Sequence, residues 1–145
     1  MITADIERLL DERDIERALI TLARAMDDRD WEAMSQILSA DAVGEFGTGR
    51  LAGCAAIIEM IQGFLNNCGI TQHFIGNVLV DVEGDRASSR AYVRDLHLSR
   101  NNPELTFHTL GDYHDRWERR DGRWWLVERI KDSRGTVGSP DVFLG

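Results

Sequence analysis

From residue 72 onward the chain holds four long runs rich in β-branched and aromatic residues, and this feature most narrows what it can fold into. The runs are FIGNVLVDV (74–82), ASSRAYVRDLHLSR (87–100), FHTLGDYHDRWER (107–119) and RWWLVERIKD (123–132). Turn-forming clusters separate them, at EGD (83–85), NNPE (101–104) and RDG (120–122). Strands joined by tight turns pair antiparallel, so the second half of the chain predicts a strongly antiparallel sheet. The tail SRGTVGSPDVFLG (133–145) is rich in turn formers and reads as irregular.

The first half has a different period. Ile15, Ala18, Leu19, Leu22 and Met26 recur at three-and-four spacing, which makes one apolar stripe on a helix. DDRDW breaks that pattern. Asp30 is a suitable N-cap for a second short helix with Trp31, Met34, Ile37 and Leu38 on one side. AVGEFGTG (42–49) reads as a short strand running into a turn, and Gly53 opens a third helix carrying Ile57, Ile61, Phe64 and Leu65, ending between Asn66 and Gly69. Helices first and strands afterwards imply an α+β layout with three helices covering one face of the sheet. A curved sheet closed in this way is a cone, and its interior is a natural pocket for a small ligand.

At 145 residues the chain suits one domain, 1–145. The net charge of -8 and the scattered arginines oppose a phosphate backbone, so no nucleic-acid partner is expected. No apolar run reaches the roughly 18 residues needed to cross a bilayer, and MITADIERLL lacks the basic and apolar regions of a secretory signal. A cytoplasmic location follows as the expectation. Cys54 and Cys68 lack metal-ligand spacing and read as reduced thiols. The four histidines form no HxH or HExxH pattern, so no metal is expected. Lys131 is the single lysine, and a Schiff-base mechanism resting on it is set aside.

Side chains alternate along a strand, which sorts the polar residues. Ala87, Ser89, Ala91, Val93, Asp95 and His97 share one face, small or apolar until its end, and this is the expected inner face. His73 shares parity with Ile75, Asn77 and Leu79, at the mouth of the preceding strand. Asp27 ends the first helix beside its apolar stripe. A carboxylate that orients an imidazole leaves the other ring nitrogen free to act as a base near neutrality. Asp27 and His73 could form such a pair, with His97 holding or protonating a leaving oxygen. The ordinary alternative is a capping aspartate and a histidine at the edge of a core. His108 and His114 fall on the outer parity. Trp117, Trp124 and Trp125 read as core and interface aromatics. Tyr113 needs a partner for its hydroxyl if buried, either a substrate or Asp115, and Phe46 could line the same cavity.

The segments ARAMDDRDWEAMSQILSADAV, TQHFIGNVLV and GDYHDRWERRDGRWWLVERI resemble the SnoaL-like branch of the nuclear transport factor 2-like superfamily, and TQHFIG is similar to scytalone dehydratase. The resemblance spans about Asp5 to Asp132. It implies the cystatin-like cone, with a strongly curved mixed sheet, and a homo-oligomer, dimer or trimer, built through that sheet. By the same resemblance Asp27, in DDRDW, orients His73, and His97 is the second histidine. Two tyrosines of scytalone dehydratase are replaced by Met26 and Phe46, and a serine and an asparagine by Gly111 and Tyr113, which implies different polar contacts to substrate. The branch similar to hexachlorocyclohexane dehydrochlorinase also uses an Asp and His pair. What these relatives imply is a lyase acting without a cofactor on a small cyclic or aromatic substrate; an isomerase or cyclase, or a non-catalytic ligand-binding or assembly subunit, are the other roles such a cone serves.

Overall fold

The computed structural model describes residues 2–145. Helix α1 spans Ile2–Asp27, α2 Trp31–Ser35 and α3 Cys54–Leu65; the strands are β1 Leu38–Glu45, β2 Arg50–Ala52, β3 Thr71–Glu83, β4 Arg86–Leu98, β5 Thr106–Arg120 and β6 Arg123–Gly138. A final 3-10 helix covers Pro140–Leu144. The six strands run in the order β2-β1-β6-β5-β4-β3. Only β1 against β6 is parallel, and it makes the sheet mixed. The helices pack on the concave side of this curved sheet, giving the α+β cone.

The core lies between the helices and the sheet. Ile15, Leu19, Leu22 and Met26 of α1 form the expected buried stripe and meet Trp117 and Leu126 from the sheet. Both buried tryptophans satisfy their indole N–H, Trp117 by donating to Ser89 Oγ at 2.8 Å and Trp124 by donating to Asp11 Oδ1 at 3.0 Å. Asp30 caps α2 as expected, accepting from the Ala33 N–H at 3.1 Å.

Three expectations need correction, and one short strand, β2, was not expected. α2 stops at Ser35, so Ile37 and Leu38 are not helical: the Leu126 N–H donates to the Ile37 carbonyl, and Leu38 already opens β1. Hydrogen bonding to the sheet outweighs a weak helical pattern over so few residues. β2, with only three residues, carried no readable alternation. The tail is not irregular, because β6 continues to Gly138 alongside β5 and the 3-10 helix buries Val142 completely. Turn-forming residues were overridden there by a long edge-to-edge pairing. Finally, the parity of β3 fails beyond Gly76. A bulge at Asn77, whose φ is 50°, inserts a residue, so Val78, Val80 and Val82 turn inward and Leu79 faces outward, 56% exposed.

Candidate active site

The end of α1 and the head of β3 meet at Asp27. The helix stops in a Schellman arrangement: the Asp30 N–H donates to the Ala25 carbonyl at 2.8 Å and the Arg29 N–H to the Met26 carbonyl at 3.2 Å, leaving Arg29 with φ 56° where glycine is usual. The strained arginine is held by its own side chain. Its guanidinium donates to the Met26 carbonyl (2.9 Å), the Gly69 carbonyl (2.7 Å) and Thr71 Oγ1 (2.8 Å), tying the helix end to the strand. Thr71 in turn donates to Asp27 Oδ1 at 2.9 Å.

Asp27 then fixes His73. The His73 backbone N–H donates to Asp27 Oδ2 at 2.9 Å, and ring Nδ1–H donates to Oδ1 at 2.7 Å. Burial pushes the Asp27 carboxyl up, but the hydrogen bonds from His73 and Thr71 outweigh it and hold the group below its ordinary value. It is therefore an anion through the neutral range. In the neutral ring, commitment of Nδ1–H to Asp27 leaves the lone pair on Nε2, which points the other way; the side chain is 5% exposed.

What lies beyond Nε2 comes from the sheet. Register pairs His73 of β3 with Asp95 of β4, and Asp95 with Thr109 of β5, in one cross-strand row on the concave face. The next row pairs Thr71 with His97 and His97 with Phe107. Asp95 Oδ2 is 3.7 Å from His73 Nε2 and 3.5 Å from His97 Nε2. The Thr109 hydroxyl donates to Asp95 Oδ1, and Lys131 Nζ donates to Oδ2 at 3.1 Å. Burial raises the Asp95 carboxyl, yet the Lys131 ammonium, His73 and Thr109 together hold it below its ordinary value.

His97 is on the inner face, as its parity indicated. Its Nδ1–H donates to the Phe107 carbonyl at 3.0 Å. Burial depresses its pKa and the bond to Phe107 only partly opposes this, so the resting ring is neutral with an accepting Nε2. In that state it can accept a hydrogen bond from a hydroxyl but has no acidic proton to give.

These groups open on a cavity of about 180 Å³ bordered by His73, Asp95, His97, Tyr113 and Lys131 and by apolar side chains that include Met26, Phe46 and Phe143. The volume lies below the roughly 300–1,000 Å³ of most ligand clefts, so only a compact molecule fits. Phe46 and Tyr113 both line it. Tyr113 is buried, its ring 3.6 Å from the Arg129 guanidinium, and its hydroxyl makes no hydrogen bond among the described residues. Asp115 is not its partner, because both Asp115 oxygens accept from Arg129 at 2.8 Å in a buried pair. His108 and His114 lie on the opposite face; His114 pairs with Asp132 at 3.2 Å and is 43% exposed.

Three accepting atoms, His73 Nε2, Asp95 Oδ2 and His97 Nε2, converge within 4.8 Å, a set of the kind that can hold a divalent cation. The Lys131 ammonium already sits on the shared oxygen of that set, however, and repels a second cation there. The sequence reading missed Asp95 and Lys131 as site residues, and missed Arg29. Asp95 was visible on the inner parity of β4. Lys131 reaches the site only through the register of β6 on β5, which no local pattern discloses.

The SnoaL-like domain family matches this chain over residues 7–130. The chain belongs to the SnoaL-like family. An uncharacterized protein of Mycobacterium tuberculosis and one of Mycobacterium bovis are each 24% identical to this SnoaL-like chain over 129 residues, 87% of either sequence. Among solved structures, a proposed aromatic ring hydroxylase of Novosphingobium aromaticivorans superposes with a TM-score of 0.83 at 26% identity, covering 92% of this chain and 96% of its own. A proposed scytalone dehydratase of the same organism gives 0.83 at 21%, covering 91% and 89%. A hexachlorocyclohexane dehydrochlorinase of Novosphingobium barchaimii gives 0.83 at 18%, covering 93% and 94%. The last two likenesses establish the shared cone fold. No helix among the described residues is long and apolar enough to cross a membrane.

Proposed function

We propose that this SnoaL-like chain is a lyase that removes a proton from a small cyclic or aromatic substrate and eliminates water or a related leaving group without a cofactor. One observation carries the reading: His73 Nδ1–H is bound to the Asp27 carboxylate at 2.7 Å while Nε2 borders a small, largely apolar cavity. That geometry makes Nε2 a base of fixed direction and stabilises the imidazolium it becomes. The neutral Nε2 of His97 accepts the hydrogen bond of the departing hydroxyl. His73 then returns its proton to that oxygen, so that water leaves and both imidazoles end neutral. Phe46 and Tyr113 shape the substrate's place. The relatives named as dehydratase and dehydrochlorinase support elimination as the reaction class.

The test is a panel of hydroxylated cyclic ketones, followed by the absorbance of the conjugated product. His73→Gln is expected to lower turnover by about 10²–10⁴-fold, the usual worth of a positioned base. Undiminished turnover in that variant would remove His73 from the reaction. Product analysis also separates elimination from isomerisation, in which the same base acts and no group departs.

A further inference from the structure

The base, its orienting acid and the second histidine leave two charged groups at the cavity unused, Asp95 and Lys131, and only the lysine has donors to offer a ligand. Lys131 borders the cavity from β6, with its side chain 18% exposed, and its Nζ donates to Asp95 Oδ2 at 3.1 Å and to Thr109 Oγ1 at 3.2 Å. An ammonium has three N–H bonds and no lone pair, so one donor is left over. Asp95 Oδ2 is also the neighbour of His73 Nε2, at 3.7 Å, which brings the ammonium and the base to within the span of one small molecule.

The fold makes room for this reach. Lys131 is paired with Tyr113, four residues along β5 from the Asp95 and Thr109 row, and its stem passes over Gly111, which lies between them. A Cβ at Gly111 would stand 3.1 Å from the Asp132 carbonyl oxygen, 3.1 Å from Lys131 Cε and 3.2 Å from Val93 Cγ1; of these the lysine stem is the most flexible, so a larger residue there crowds it. Tyr113, beside Lys131, adds a hydroxyl that no described residue engages. In an otherwise mostly apolar cavity these are the donors available to a ligand oxygen.

We propose that Lys131, held by Asp95 and Thr109 and assisted by Tyr113, forms a subsite for a substrate oxygen that carries or gains negative charge, the carbonyl of an enolisable ketone or a phenolic oxygen. Its catalytic role rests on the elimination proposed above. When His73 takes the proton from the carbon beside the carbonyl, the released electron pair moves into the C–C bond and the carbonyl becomes an enolate oxygen facing Lys131. The pair then returns to form the new double bond, the bond to the leaving oxygen breaks, and that oxygen takes the proton from His73. The ammonium binds the enolate more strongly than the ketone, which is how it would accelerate the reaction.

The probe is para-nitrophenol, whose neutral and ionised forms absorb differently. Bound to the wild-type chain it should be more ionised than free dye at the same pH. The double variant Lys131→Met with Asp95→Asn keeps the net charge of the site and removes the ammonium, and its ratio of phenolate to phenol affinity should fall at least about tenfold. Gly111→Ala, which keeps every charge and displaces the lysine, should lower the ratio in the same direction and serves if the double variant fails to fold by circular dichroism. An unchanged ratio in a folded variant of either kind, or no phenolate binding by the wild type, overturns the subsite. A Lys131-dependent preference in a protein that eliminates nothing supports the subsite and removes only the lyase reading. Turnover with an unchanged ratio does the reverse.

Discussion

Arg29 shows how a residue outside the pocket sets the chemistry inside it. Its left-handed backbone costs about 1–2 kcal/mol relative to glycine, and its guanidinium bonds to Thr71, Gly69 and Met26 offset that cost while delivering the Thr71 hydroxyl to Asp27. Arg29→Ala loses the bonds and keeps the strain; Arg29→Gly loses the bonds and relieves it. Urea unfolding should therefore find both variants destabilised, the alanine by about 1 kcal/mol more than the glycine. His97 gives a second residue-scale prediction. Because burial depresses its pKa, the unfolded chain binds a proton there more readily than the folded one does. The resulting loss of stability sets in as pH falls below about 6.5 and is complete once pH passes the lower folded value. His97→Gln should flatten that part of the pH–stability curve measured by denaturant titration, and an equal slope in the variant would move the effect to another group.

At the scale of elements, the C-terminal segment closes the cone. The 3-10 helix places Phe143 edge-on to His97, with ring centres 5.0 Å apart, and against Phe64 and Phe107 at 5.2 and 5.9 Å. Phe143 thus dries the ring whose pKa burial lowers. Phe143→Ala should weaken substrate binding and let His97 titrate closer to its ordinary value, upward from the wild-type one, as followed by the imidazole resonances in NMR. This was unreadable from GSPDVFLG, where glycine and proline punctuate and only Val142 and Phe143 hint at burial. The β3 bulge was equally hidden. Asn77 carries no local mark of the left-handed backbone that reverses the face of every residue after it, although asparagine tolerates that conformation better than most. The face of β4, by contrast, was legible throughout, since Ala87, Ser89, Ala91, Val93, Asp95 and His97 are all buried and their neighbours are not.

For the whole molecule, the convex side of the sheet exposes Phe74, Leu79, Tyr92 and Val137, and the family resemblance implies a dimer or trimer through that sheet. Exposed aromatics grouped on one face commonly mark such contacts. Sedimentation of the wild type should report an oligomer that Phe74→Asp combined with Tyr92→Asp shifts toward monomer with unchanged far-ultraviolet circular dichroism; a wild type that sediments as a monomer at all concentrations refutes the assembly. The layout of helices before strands and the inner face of β4 followed from local periodicity and turn chemistry, because those signals act over a few residues; the pairing of Asp27 with His73, far apart in the chain, was one of two open readings of the residues and was selected by the family resemblance. The grouping of Asp95, Thr109 and Lys131 around His73 was decided only by tertiary structure. Strand register brings those residues into contact, Gly111 leaves the lysine a path, and both depend on how distant segments align across the sheet.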